Sequence, residues 1–159
     1  MTRSEWLLSV VLRAVGVVTM LAVVAVFMPR SWILVCHEWL GWGAFPDAPV
    51  AEYLARCTSL FYVLLGGVMV WLSTDVRRYG PAIVVVAVGT IVCGVVLLSI
   101  DMRSGMPWWW TAGDGPFGVV FGIVLLLLQM RSRAERAQAD AAADEAEPRD
   151  AGPEGAPRL

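Results

Sequence analysis

The sequence predicts an all-α fold: a membrane-spanning four-helix bundle followed by a disordered C-terminal tail. Three observations carry that reading. Of the 159 residues, 58% are hydrophobic and only 16% are charged, with a mean hydropathy of +0.66. A soluble domain is nearer to about half apolar and about a quarter charged. The apolar residues are gathered into four runs, and about 20 such residues at about 1.5 Å each cross the roughly 30 Å of bilayer hydrocarbon. Finally, the eight tryptophans stand at the ends of those runs and none stands in mid-run, which is the distribution of amphipathic rings at the two membrane–water interfaces.

The first span is expected over 6–28. It stops at Pro29-Arg30, because proline cannot continue a helix. A cleaved secretory signal is the rival reading, with Val23 and Ala25 as small residues before the cut. Against it, the apolar stretch outruns the usual 7–15 residues and contains Arg13. The following segment carries Trp32, Trp39 and Trp42 with Leu34, Val35 and Leu40 between them, a mixture that suggests a short interfacial helix. The second span is placed at 53–73 and the third at 81–100, where Gly80-Pro81 reads as a start signal. The tight turn between them predicts that they pack as an antiparallel pair. The fourth is placed at 116–133, opening at Gly115-Pro116 with Asp114 just ahead of its N-terminus, where the helix dipole favours a carboxylate. Its apolar stretch rises only about 22 Å, so it spans only if it runs on to Arg133 with the arginines snorkelling. Residues 1–133 thus form the transmembrane domain. Residues 134–159, rich in Ala, Glu, Asp, Pro and Gly, are expected to form a disordered tail, with Ala134–Ala146 able to extend helically for a few turns.

Every basic residue is an arginine, and arginines beside the spans set orientation. With the N-terminus inside, Arg3, Arg13, Arg77, Arg78, Arg131, Arg133 and Arg136 are cytoplasmic and Arg30, Arg56 and Arg103 lie outside. The expected location is therefore the inner (plasma) membrane, multi-pass, with both termini cytoplasmic and the lipid bilayer as first partner.

Few residues carry chemistry. A net charge of −2 gives no footing for nucleic acid. No nucleophile elbow, phosphate-binding loop or metalloprotease helix occurs. The single histidine, His37, excludes a bis-histidine haem site and leaves Ser73, Ser99 and Ser104 without a base. Its neighbours Cys36 and Glu38 cannot all face one metal from a regular helix, so no metal or other cofactor is expected. The reading is a non-enzymatic protein.

Five residues on the outer side form the candidate ligand site: Glu52 and Arg56 four apart on one helix face, Asp101 ending the third span, Asp114, and Trp109. Polar groups rimmed by aromatics suit a small ligand. The alternative is an ion-pair network tying helix ends, with Arg56 or Arg103 neutralising Asp101. Arg13, well inside the first span, needs relief from the cost of an intramembrane charge, and Asp75 is its natural partner. Gly118 and Gly122 have GxxxG spacing, and Thr90 and Gly94 have the related small-xxx-small spacing. These pack either the bundle's own helices or a homo-oligomer or membrane-protein partner. Cys36 and Cys57 share the outer side and form a possible disulfide, or stay free.

In size, span count and the segments Glu52-Tyr53-Leu54-Ala55-Arg56, Asp75-Val76-Arg77-Arg78-Tyr79 and Gly105-Met106-Pro107-Trp108-Trp109-Trp110-Thr111, the chain loosely resembles the small four-helix bacterial membrane proteins of the DoxX-like group. That resemblance implies a fold and a compartment over about residues 5–131 and transfers no activity. All-arginine basic usage and alanine richness suit a GC-rich bacterial source. The expected role is an accessory or structural membrane protein acting through helix–helix contacts. The alternatives are a small-molecule binder or transporter subunit using the outer acidic and aromatic cluster, or an extracytoplasmic thiol-redox protein.

Overall fold

The first helix begins where its sequence supplies its own cap. In the computed structural model, which describes residues 2–146, the Thr2 hydroxyl accepts from the Glu5 backbone N–H at 3.2 Å. The Glu5 carboxylate accepts from the Thr2 N–H at 2.8 Å. This reciprocal capping box satisfies two of the donors that a helix N-terminus leaves open. Helix α1 then runs over Arg3–Met20 and, after a tight turn at Leu21-Ala22, continues as α2, Val23–Phe27. Pro29 ends the apolar run, and α3, Arg30–Trp39, follows, where the tryptophan-rich segment suggested an interfacial helix. Gly41 and Gly43 take φ of 71° and 82°, a left-handed conformation open to glycine at little cost. They turn the chain toward α4, Pro49–Leu72.

Helix α5, Gly80–Ser104, starts with Pro81 in its first turn and ends at Gly105, whose φ of 67° closes the αL cap with its N–H on the Asp101 carbonyl. Helix α6 covers Trp108–Ala146, 39 residues and roughly 58 Å. Four helical stretches are long and apolar enough to cross a membrane: Arg3–Phe27, Pro49–Leu72, Gly80–Ser104 and Trp108–Glu145. No strand occurs among the described residues.

Two boundaries correct the sequence reading. The fourth helix opens at Trp108, eight residues before Pro116, so Asp114 lies inside it rather than ahead of it. Gly113, Gly115 and Pro116 would break a helix in water. In an apolar medium the helix is kept because its backbone groups have no other partner, and neighbouring helices absorb the one bond that proline removes. At the other end α6 continues through 134–146 instead of dissolving into tail, because those residues are largely alanine, the best helix former. The remainder of the expected disordered tail, 147–159, lies outside the described residues.

Packing is organised as two helix pairs, α1 with α4 and α5 with α6, joined where α1 meets α6. Helices α4 and α5, consecutive and expected to pair, barely touch. Glycine decides which helices pair. A Cβ added at Gly66 would lie 2.5 Å from the Gly16 carbonyl oxygen, and one at Gly16 would lie 2.8 Å from that of Gly66. In the other pair, a Cβ at Gly94 would meet the Gly115 carbonyl at 2.6 Å and one at Gly122 the Ala87 carbonyl at 2.5 Å. Lipid tails are as apolar as leucine, so association rests on such close backbone approach. The core of Leu8, Leu12, Leu72, Val76, Ile83 and Leu125, with Met69, Ala87 and Phe121, sits toward the end that holds the N-terminus. Most other large apolar side chains face outward.

Gly66→Leu should lower the detergent melting midpoint by overpacking worth about 1–3 kcal/mol or more. Gly67→Ala, where an added Cβ meets nothing within 4 Å, should leave it unchanged. Equal midpoints for the two variants would remove the glycine seam as the pairing determinant.

Candidate functional site

Polar side chains gather at both ends of the bundle and in one cleft between them. At the N-terminal end the organising group is Glu5, which is 0% exposed. Its Oε1 accepts from Nε of Arg77 at 2.7 Å and forms an ion pair with Arg136, 3.0 Å from its Nε, and its Oε2 accepts from Nη2 of Arg77 at 3.2 Å. Arg77 comes from the α4–α5 turn and Arg136 from α6, so one carboxylate ties three elements together. Arg136 is itself oriented by the Ser132 carbonyl and hydroxyl, both at 3.0 Å. Beside it, the Ser4 hydroxyl donates to Glu135 at 2.5 Å. The hydrogen bond to Glu5, and then its charge, raise the Arg77 guanidinium above its ordinary value, so it stays protonated throughout the accessible pH range. Sequence reasoning passed over Glu5. The local signal was the Thr2-x-x-Glu5 capping spacing, which reveals the cap but not the two distant arginines.

At the opposite end, Arg56 explains itself by what it closes. The carbonyls of Val26 and Met28 lie at the end of α2, where Pro29 offers no N–H and the chain turns away. Arg56 donates Nη1 to Val26 and Nη2 to Met28, the latter at 3.0 Å, while Glu52 accepts from Nη2 at 2.8 Å. A guanidinium thereby caps a helix end that proline left open. Arg30 extends this network to Asp47 at 2.5 Å and to Glu52 at 4.0 Å. Nearby, Nδ1 of His37 is 2.8 Å from the Gly43 carbonyl oxygen, and its ring meets Trp42 and Phe45 edge-on. Trp42 stacks edge-on against Trp110, and Trp110 against Trp109.

The third feature is a cleft of about 350 Å³ between the two helix pairs. Its walls are mostly apolar, including Leu65, Met69, Val86 and Phe121, with Thr19, Tyr62, Thr90, Cys93 and Asp114 as polar points. Both threonine hydroxyls are satisfied by carbonyls one turn back, Thr19 by Val15 at 2.8 Å and Thr90 by Val86 at 2.7 Å. Asp114 forms no ion pair among the described residues. Asp101 is close enough to act on it electrostatically. Asp101 is itself 6% exposed, and its Oδ2 is buried without a hydrogen-bond partner. Neither carboxylate has an ion-pair partner among the described residues.

No family model, curated protein or solved structure matches the chain. What the residues do must therefore be argued from their placement.

The five expected ligand-site residues do not share one pocket. Asp114 lines the cleft; Glu52, Arg56, Asp101 and Trp109 do not. Neither Arg56 nor Arg103 pairs with Asp101, because Arg56 is held by carbonyls and Glu52. Thr90, Gly94, Gly118 and Gly122 all lie at the α5–α6 seam, where a Cβ at Gly118 would sit 3.4 Å from both the Thr90 carbonyl oxygen and the Gly94 Cα. Cys36, Cys57 and Cys93 are free, so the possible Cys36–Cys57 disulfide is not formed. Arg13 and Asp75 form no ion pair either. Helix α4 stops at Leu72, and Asp75 turns back to accept from the Arg78 N–H at 3.0 Å.

Arg56→Ala should cost about 1–3 kcal/mol of unfolding free energy, and Arg56→Lys should recover less than half of it, since one ammonium cannot span two carbonyls and a carboxylate. Full recovery by lysine in a thermal melt would show that only the charge matters. Glu5→Ala should cost about 1–3 kcal/mol, as the half-buried Arg136 loses its carboxylate while the exposed Arg77 can turn to solvent.

Proposed function

We propose that this is a non-enzymatic, four-span protein of the inner (plasma) membrane that holds a small cationic amphiphile in the cleft at Asp114, alone or as a transporter subunit. The single observation that carries this reading is the Asp114 carboxylate on the wall of an apolar cleft, without an ion-pair partner among the described residues. An ionisable group within a span is expensive and marks a functional position by default. A ligand with one positive charge and apolar bulk supplies the missing cation and fills a space of this size.

The seven-to-three arginine bias supports cytoplasmic termini, which opens the Asp101 end toward the outer face. The likeness to DoxX-like bacterial proteins belongs to the same proposal, resting on span count and size. An accessory role through helix contacts is the second reading. One observation favours it: Gly67 faces open space, so another helix can approach there. The seam glycines Gly118 and Gly122 do not serve that reading, since α5 already occupies their faces. Three free thiols give the thiol-redox reading no support.

Purified protein should bind tetraphenylphosphonium saturably, and Asp114→Asn should weaken binding at least about tenfold, the equivalent of about 1.4 kcal/mol. Glu52→Gln should not. Retained affinity in Asp114→Asn, or no saturable binding by the wild-type chain, would overturn the cleft reading and leave the accessory one.

A further inference from the structure

Arg13 reads in the sequence as a charge well inside the first span. The structure gives it a different level. The Ser9 hydroxyl donates to the Ser73 carbonyl at 2.7 Å, and Nε of Arg13 donates to the Ser73 hydroxyl at 3.3 Å. Ser73 caps the end of α4, so the guanidinium stands level with that helix terminus. There the exposed Trp71 packs on Tyr79 with ring centroids 4.3 Å apart, as aromatic rings do at a membrane–water interface. Arg13 therefore marks the edge of the apolar layer, at headgroup depth. Its two terminal nitrogens have no acceptor among the described residues, because Asp75 is turned to the Arg78 N–H.

These nitrogens open into a groove of about 940 Å³ between α1 and the α4–α5 turn. On one side of Arg13 the lining holds the polar groups, Ser9, Ser73, Thr74, Asp75 and Arg77, interleaved with Trp6, Val10 and Val76. On the other side it continues along α1 as Ala14, Val17 and Val18, all exposed. Of the two carboxylates in the groove, Glu5 is already neutralised by Arg77 and Arg136. Among the described residues this end of the bundle also holds the seven arginines assigned above to the cytoplasmic side, against Glu5, Asp75, Glu135, Asp140, Asp144 and Glu145; up to Arg136, closest to the apolar layer, only Glu5, Asp75 and Glu135 oppose them.

We propose that the groove is a seat for one anionic glycerophospholipid, its phosphate on the Arg13 guanidinium and one acyl chain along Ala14, Val17 and Val18. Charge complementarity selects the occupant. A planar guanidinium with two free terminal nitrogens matches a phosphate, the arginine surplus closest to the apolar layer favours a lipid with net negative charge, and the apolar wall begins one helical turn deeper, where the acyl chains begin.

The full-length chain, stripped of lipid in detergent, is given dioleoyl phosphatidylglycerol, dioleoyl phosphatidylcholine or sodium phosphate, and bound lipid and melting midpoint are measured. Phosphatidylglycerol should be retained as a discrete adduct and raise the midpoint; phosphatidylcholine should do so weakly and sodium phosphate not at all. Arg13→Gln should weaken phosphatidylglycerol binding about tenfold, whereas Arg103→Gln, an exposed arginine at the other end, should not. Ala14→Trp, which leaves Arg13 in place and fills the apolar wall, should lose the adduct too, and it keeps the test decisive if Arg13→Gln fails to fold. Equal retention by Arg13→Gln and wild type, equal loss in Arg103→Gln, or a matching shift from sodium phosphate would each overturn the lipid seat.

Discussion

Direct backbone approach at glycine is the constraint on which the architecture depends. Where Gly16 and Gly66 each lie against the other's carbonyl oxygen, as do Gly94 and Gly115, no side chain fits between the helices. Each seam fixes one pair of helices at close range. In hydrocarbon there is no solvent to drive apolar faces together, so a pair that lacks such a seam has little to hold it close. That is why α4 and α5, despite their short turn, leave a gap rather than an interface. The cleft at Asp114 is that gap, bounded by two rigid pairs.

Charge is confined to the places where this arrangement needs it. At one end Glu5 draws in an arginine from a turn and another from the last helix. At the other, Arg56 closes a helix terminus that proline leaves without donors. Both serve the fold, and both are compensated. Asp101 and Asp114 differ because no ion pair among the described residues compensates them, and that difference separates a structural ion pair from a candidate site more sharply than residue type does.

Much of the fold was legible in the sequence because its strongest signals are local. Four apolar runs, Pro29 as a stop, Pro81 as a start, and small residues at Thr90, Gly94, Gly118 and Gly122 all act within a turn or two of themselves. The misplaced features depend on the surroundings. Gly113, Gly115 and Pro116 read as a helix boundary by rules learned in water, yet bilayer and neighbouring helices keep the backbone helical through them. The Arg13–Asp75 pair failed because α4 stops at Leu72, which places Asp75 in a turn with an N–H to accept. Only part of the candidate site was visible. Asp101 and Asp114 stood out as acidic residues at a span end, but Thr19 and Tyr62 entered the cleft through tertiary placement that no spacing encodes.

The clasp on Glu5 also orders events during biogenesis. Arg77 is synthesised first and reaches Glu5 as soon as the second hairpin turn is made, but Arg136 follows roughly 60 residues later. At about 5–20 residues per second that is a delay of several seconds. Throughout it, the α1 carboxylate has one arginine partner available instead of two. Ser4 and Glu135, 131 residues apart, join only then. The contacts that join α1 to α6 therefore close only once the fourth helix is complete, long after α1 itself is made.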